Sequence, residues 1–283
     1  MKVQEVSRGA YARLADGDSI YDGWGANQGF VTTRDGTLVV DSGFTAQAAK
    51  GLLAEMRKRK AKNARILVNT HDHSDHVFGN SLFESSSLIV AHANCRRRLI
   101  ELGSKRIATY RRFDARLKSS LKGLTISPPV LTYQEEMEFE LGGTVFRLLH
   151  PKVGAHTSGD TMVLLPEQRI LFAGDVLWVG YHPNLEDANI GGWLDALEAI
   201  SRMRIDLLVP GHGQVADKAS IAPLASYLRD FDRGFTELVR EGVPKDRISL
   251  ELESLGARDW KLKTIVERNV DLLYRAYAAK VTA

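Results

Sequence analysis

Residues Thr70 to His76 read Thr-His-Asp-His-Ser-Asp-His and follow directly on the apolar run Ile66-Leu67-Val68. A short apolar run bounded by polar residues is a buried strand, so this chain places three imidazoles and two carboxylates at a strand's end. The alternation of His71 and His73 puts both rings on one side of an extended segment, whereas Asp75 and His76 point elsewhere, toward a second ion. Neutral imidazole and carboxylate are the ligands that a borderline cation such as Zn²⁺ prefers. A His-rich surface loop is the bland alternative, and three of the chain's eight His falling in one loop argue against it.

Composition narrows the chemistry further. The single cysteine, Cys95, excludes an internal disulfide and a thiolate-rich zinc cluster, so ligation must rest on His and carboxylates. The 38 basic and 35 acidic residues leave a net charge of +3, too balanced to imply nucleic acid or membrane as a partner. The first residues carry no apolar signal-like core and no run reaches the length of a membrane span, which predicts a cytoplasmic location. No Pro- or Ser-rich linker and no repeat divides the 283 residues, and 44% hydrophobic content fills a large core. A single domain over 1–283 is expected, its core from about 9 to 215 and a helical extension from about 217 to 283.

Strand-like and helix-like segments interleave, which predicts an α/β (α+β) fold. Residues 29–33 and 37–40 read as a hairpin whose Asp35-Gly36 supplies the positive φ of a tight turn, delivering Asp41-Ser42-Gly43 at a strand end. Leu52, Leu53 and Met56 recur at helical spacing between about residues 45 and 60, and the strand 65–69 then runs into the histidine loop. Strand ends of open α/β sheets are where ligands usually bind. Further strands are expected at 144–149, 161–165, 169–173 and 205–209, and near their ends stand single polar residues: His156, Asp175 and His212. Alone, each would be an ordinary loop residue; the recurrence makes them candidate ligands.

Taken in order, the Asp-Ser-Gly turn, the His-x-His-x-Asp-His loop, the Gly-x-His-Thr turn, the Gly-Asp strand end and the Pro-Gly-His-Gly turn resemble the metallo-β-lactamase-fold hydrolase superfamily, from about Gly29 to Gly213. The resemblance implies an αββα sandwich with a binuclear site at one edge. It implies that His71, His73 and His156 hold the first metal, that Asp75, His76 and His212 hold the second, and that Asp175 bridges both. It places Asp41 behind the ligands, where a carboxylate accepts a hydrogen from a ligand imidazole and fixes its tautomer. An intact His73, where the flavodiiron branch has Glu, favours two Zn²⁺ over iron redox chemistry, with Mn²⁺ or Fe²⁺ as substitutes. A bridging aspartate looks more like the glyoxalase-II, lactonase and esterase branches than the true β-lactamases. Trp178 stands where quorum-signal lactonases have tyrosine, and segments 156–160 and 191–194 look most like the cyclase-like hydrolases.

Two neighbouring cations make hydroxide available near neutral pH and polarise the group under attack, which is the chemistry of a hydrolase. Asp75 is the nearest candidate for carrying the proton to the leaving group. Trp24, Trp178 and Tyr181 are expected to line a pocket for an apolar portion of a small-molecule substrate, with Tyr181 or His182 donating to a developing oxyanion. His92 and His150 read as structural. The substrate class expected is an ester, thioester, lactone or amide; the alternative is a metal-dependent phosphodiesterase or nuclease. From Ala91 to Lys122 ten basic residues face only Glu101 and Asp114, which reads as the solvated face of inserted helices rather than an anion-recruiting patch. Apolar stripes at Leu224, Leu228, Phe231, Phe235 and Leu238, and at Val266, Val270, Leu273 and Tyr277, predict C-terminal helices that pack on the domain or form a lid or homodimer contact.

Overall fold

The computed structural model describes residues 1–256 and 259–281, with 276–281 as backbone alone. The first half runs β1 (Lys2–Ser7), β2 (Ala10–Leu14), β3 (Gln28–Thr32), β4 (Thr37–Val40), α1 (Ala46–Lys58), β5 (Ala64–Val68), α2 (Ser74–Val77), β6 (Leu88–His92), α3 (Ala93–Phe113), α4 (Ala115–Ser120) and β7 (Leu131–Tyr133). The second half runs β8 (Glu136–Leu141), β9 (Thr144–Leu149), β10 (Met162–Leu165), β11 (Ile170–Trp178), α5 (Ile190–Arg202), β12 (Leu207–His212), α6 (Ile221–Arg240), α7 (Lys245–Glu253) and α8 (Thr264–Val281). Strands β1 to β7 form one sheet in sequence order, and β12-β11-β10-β9-β8 form the other.

The two-residue period of the strands decides how the layers stack. Val31, Leu38, Val40, Val68 and Val90 face inward and meet Phe146, Leu148, Val163, Phe172 and Val209 of the second sheet. Their neighbours Phe30, Val39, Leu67 and Ile89 face outward, onto Ala49, Leu52 and Met56 of α1. Thr45 starts that helix by accepting the Ala48 N–H at 3.1 Å. The outer face of the second sheet carries Met162, Leu164, Leu171 and Ala173, covered by Trp193, Leu197, Leu224, Leu228, Phe231, Ile248, Val266 and Val270 of α5 to α8. The result is an αββα sandwich. Its C-terminal helices share one core with the second sheet, and each fully buried Leu or Phe there contributes roughly 1.5–3 kcal/mol. Tyr277, the last member of the expected stripe, lies outside the residues whose side chains are described.

Two local expectations differ from the structure. The β3–β4 hairpin pairs Gly29 with Val40 through Thr32 with Thr37, but neither Asp35 nor Gly36 has a positive φ. The connection is a four-residue loop closed by Thr33 N–H on the Gly36 carbonyl at 2.9 Å, which needs no left-handed residue. The first sheet also begins at Lys2 rather than near residue 9, because β1 buries only Val6 and its sequence carries little strand signal. Among the described residues no helix is long and apolar enough to cross a membrane.

Strands β4, β5, β6 and β7 run parallel to one another, as do β11 and β12, and these are the connections that aim chain ends at one edge of the sandwich. The Thr161 N–H on the Thr70 carbonyl, at 2.6 Å, ties the two sheets together at that edge.

Candidate metal centre

Extended backbone carries His71 and His73 out of β5, and the chain then turns into α2, so Asp75 and His76 leave on a different heading. The ring centroids of His71 lie 4.7 Å from His73 and 4.3 Å from His76. From the second sheet come His156 in the β9–β10 loop, Asp175 in β11 and His212 at the end of β12. Close backbone approach makes this possible. Gly174 adopts φ +52° against the Thr70 side chain, and a Cβ at Gly211 would collide with the Asp175 carboxylate.

The side chains converge as two groups. His71, His73, His156 and Asp175 each present one ligand-type atom, and so do Asp75, His76 and His212; within each group these atoms lie within 4.8 Å of one another. Asp175 lies between the groups. Its Oδ1 is 3.2 Å from His76 Nε2, and its Oδ2 is 3.3 Å from His156 Nε2, 3.4 Å from His212 Nε2 and 3.7 Å from His71 Nε2. Asp75 Oδ2 is 3.4 Å from His212 Nε2 and 3.5 Å from His76 Nε2.

Divalent ions fit these residues. His71 Nε2, His76 Nε2, His212 Nε2 and Asp175 Oδ1 are buried without a hydrogen-bond partner, and such orphaned atoms are rare unless a ligand claims them. His73 Nδ1 and His156 Nε2 face each other at 3.0 Å, which aims two imidazole lone pairs at one point. The electrostatics agree. Burial opposes ionisation of Asp75 and Asp175, yet the imidazoles of His76 and His212 hold both carboxyls well below the usual range. Burial would lower His212, but Asp175 and Asp75 raise it to about 9; burial dominates at His156, which falls to about 3.

Four of the five imidazoles are oriented by their second nitrogen; His156 Nδ1 is buried without a partner. His76 Nδ1 lies 2.8 Å from Asp41 Oδ2, as the sequence suggested for that carboxylate. Asp41 itself sits at φ +60°, a left-handed conformation costing about 1 kcal/mol. The Thr70 N–H and hydroxyl donate to it at 2.8 and 2.7 Å and hold it there. The same hydroxyl oxygen lies 3.0 Å from His71 Nδ1, and His212 Nδ1 lies 3.0 Å from the Trp24 carbonyl. His73 Nε2 lies 3.0 Å from Asp187 Oδ2, a residue that sequence reasoning missed. Asp187 stands in no motif and reaches its partner only through the fold.

Above the two groups opens a cavity of about 350 Å³. Asp75, Asp175, His73 and His212 line its floor, and Trp24, Tyr110, Trp178, Leu262 and Ile265 give it apolar walls. Trp178 stacks on the His212 ring at 3.9 Å and 9°, and Trp24 packs 5.3 Å from Phe44. Tyr181 and His182 are corrections. The Gly180 turn, at φ +71°, swings the chain after β11 beneath the C-terminal segment, where Tyr181 pairs with Lys261. The Tyr181 hydroxyl donates to the Gly17 carbonyl at 3.0 Å and His182 Nδ1 lies 3.2 Å from the Tyr227 hydroxyl, so neither side chain lines the cavity.

The basic segment is also corrected in part. Lys105 and Arg106 of α3 line the cavity together with Arg268 of α8, and Arg98 and Arg106 pair with buried Asp72. Helical spacing aims Arg98 and Arg106 inward and leaves Lys105 at the cavity's exposed rim, while Arg96 and Arg112 stay in solvent. His92 caps α3 by accepting the Asn94 N–H at 3.2 Å and stacks on His150 at 3.7 Å, the structural roles expected of both.

The family model described as the metallo-beta-lactamase superfamily matches residues 21–212. Among curated relatives, a metallo-beta-lactamase type 2 of Elizabethkingia meningoseptica is 22% identical over 216 residues, covering 74% of this chain and 78% of the relative. A linear primary-alkylsulfatase of Pseudomonas sp. (strain ATCC 19151) is 25% identical over 235 residues, 71% of this chain but only 44% of the relative's length. Among solved structures, a metallo-beta-lactamase family protein from Thermus thermophilus superposes with TM-score 0.71 at 18% identity, covering 97% of this chain and 95% of the other, a likeness of fold.

Proposed function

This chain belongs to the metallo-beta-lactamase superfamily, and on that premise we propose that it is a binuclear zinc hydrolase of a small molecule with an apolar portion, cleaving an ester, thioester, lactone or amide. One observation carries the reading: seven buried ligand-type residues converge, in two groups with Asp175 between them, on the floor of a cavity walled by Trp24 and Trp178. His71, His73 and His156 would hold one ion, Asp75, His76 and His212 the other, and Asp175 both. Bound there, the ions supply Lewis acidity that makes hydroxide available near neutral pH and polarises the scissile group.

The chain's own residues do the rest. Asp41, Thr70 and the Trp24 carbonyl fix the tautomers of His76, His71 and His212, so that those three lone pairs stay on the ion side. Trp24, Trp178, Leu262 and Ile265 exclude water and seat the apolar portion. Asp75, on the cavity floor beside His212, is placed to relay a proton to the leaving group.

A second reading is favoured by the cations that line the same cavity. Lys105 has no acidic partner among the described residues, and Arg268 pairs only with partly exposed Glu186. These groups suit a substrate bearing an anion, including the ester of an oxyacid: a sulfate, as the name of the alkylsulfatase relative suggests, or a phosphodiester. A cavity of about 350 Å³ suits a small ester better than a polynucleotide.

A panel of 4-nitrophenyl acyl esters, a thioester, a lactone, a cephalosporin, 4-nitrophenyl sulfate and bis-4-nitrophenyl phosphate, assayed on zinc-loaded and chelator-treated protein, separates the readings. Metal-dependent turnover of carbonyl substrates, rising with acyl length, is the expected result. Turnover confined to the sulfate or phosphate overturns the first reading in favour of the second. No zinc-dependent turnover of any substrate counts against both.

A further inference from the structure

The residue between the first two histidines of the motif loop, Asp72, is fully buried and belongs to neither ligand group. Arg98 and Arg106 hold it from α3, the helix inserted between β6 and β7. Arg98 Nε lies 2.9 Å from Asp72 Oδ1, while Arg106 Nη1 lies 2.7 Å from Oδ2 and donates to the Asp72 carbonyl at 3.0 Å. The two arginines stand eight residues apart, a little over two helical turns, and so share a face. The same pair reaches Asp187: Arg98 Nη2 hydrogen-bonds its Oδ2, and Arg106 Nη2 lies 3.7 Å away.

Two carboxylates and two guanidinium groups therefore form a closed set without net charge. That set grips the motif loop through Asp72 and offers Asp187 Oδ2 to His73 Nε2 at 3.0 Å. The other nitrogen of that ring, Nδ1, is the one facing His156. We propose that Asp187, held in place by Arg98 and Arg106, is the positioning residue for His73, and that helix α3 thereby sets the affinity of the ion position formed by His71, His73, His156 and Asp175. A carboxylate on the far nitrogen fixes the proton there, leaves Nδ1 as the lone-pair donor and raises its basicity. The arginines matter because a carboxylate free to rotate would not hold one ring orientation; the charge-assisted bond from Arg98 Nη2 holds Asp187 Oδ2, and Arg98 is itself anchored through its Nε on buried Asp72. This inference rests on the metal-centre reading above.

The test is zinc affinity, read by chelator competition on the full chain, beside the absorption spectrum of the cobalt(II)-loaded protein. In Asp187→Ala one of two ions should bind about 10- to 100-fold more weakly, with the other within about threefold of wild type. Asp187→Asn keeps an acceptor without charge and should fall between the two, and Arg98→Lys should weaken the same ion position. The cobalt(II) bands of the affected position should shift, while the Tm of the metal-free protein stays close to wild type.

Wild-type affinity for both ions in Asp187→Ala overturns the proposal. So does equal weakening of both ions, or a loss confined to metal-free Tm, since each marks a merely structural role. If Asp187→Ala does not fold, Asp187→Asn and Arg98→Lys decide by the same criteria. Wild-type protein that binds no divalent ion would instead sink the metal-centre reading itself.

Discussion

Asp175 faces imidazoles of both ligand groups, and no other carboxylate of the centre does so: its oxygens lie within 3.2–3.7 Å of four histidines, while Asp75 contacts only His76 and His212. Removing its charge should therefore disturb both ion positions at once. Asp175→Asn is expected to lower kcat by about a thousandfold or more while circular dichroism shows an intact fold. Wild-type-like kcat in that variant would rule out the binuclear mechanism. Tyr181 makes the opposite case, because its hydroxyl bonds the Gly17 carbonyl instead of facing the cavity. Tyr181→Phe should leave kcat and KM within about threefold and cost about 1 kcal/mol of stability, the usual worth of one such bond. A large fall in kcat with unchanged stability would restore Tyr181 as an oxyanion donor. The contrast shows what a motif can and cannot convey. Asp175 ends an apolar strand run in a Gly-Asp pair, a signal visible in the residues themselves. The direction taken after Gly180 depends on pairing with Lys261, about eighty positions further on, and no local pattern announces it.

Helix α3 was legible as a helix and as a basic one, but not as a part of the site. Its charges sort by face only when the helix is docked: Arg98 and Arg106 meet Asp72 and Asp187, Lys105 lines the cavity, and Arg96 stays in solvent. Strands β3, β4 and β5 were legible because period-two burial and apolar runs are local properties; the β1–β2 hairpin was not, since β1 buries only Val6. At the start of α3, burial and the neighbouring His150 ring lower the His92 pKa to about 4, and burial lowers His150 as well. Both imidazoles bind protons more readily in the unfolded chain, whose His pKa is about 6.5. The stability held by this stacked pair is thus full above about pH 6.5 and is lost as pH falls toward 4. His150→Gln should flatten that acid slope by roughly 1 kcal/mol, discounted for solvent reaching the pair, and leave kcat within about tenfold at pH 7. Urea midpoints at pH 7 and 4.5 check the first claim; an unchanged slope would refute it. On the cavity wall, Trp24→Ala should raise KM for long acyl substrates about tenfold and for acetyl substrates about twofold, in line with the lost aromatic contact area. Equal effects on both series would place the acyl chain elsewhere.

The candidate centre joins the two halves of the sandwich. His71, His73, Asp75 and His76 follow β5 of the first sheet, while His156, Asp175 and His212 belong to the second, so an ion on either group is held by residues from both. Ligand binding stabilises a fold by RT ln(1 + [L]/Kd), about 2.7 kcal/mol for each ion at a hundred times its Kd. The unfolded chain keeps the His-x-His spacing but not the long-range partners, so it competes weakly for the ions. Chelation leaves Asp75 and Asp175 buried with only imidazoles to balance their charge, and those imidazoles must then take up protons at their own desolvation cost. On the proposed binuclear reading, two ions together would contribute about 5 kcal/mol, and a chain of this size shifts by roughly 2–4 °C per kcal/mol, which predicts a Tm lower by about 10 °C or more after chelation. Stoichiometric zinc should restore it, and in Asp175→Asn, where both positions lose their shared ligand, the difference between loaded and chelated protein should nearly vanish. Differential scanning calorimetry beside elemental analysis reads both. Identical melting of wild-type protein with two ions bound and with none, each confirmed by elemental analysis, would mean that the centre adds nothing to the joining of the sheets.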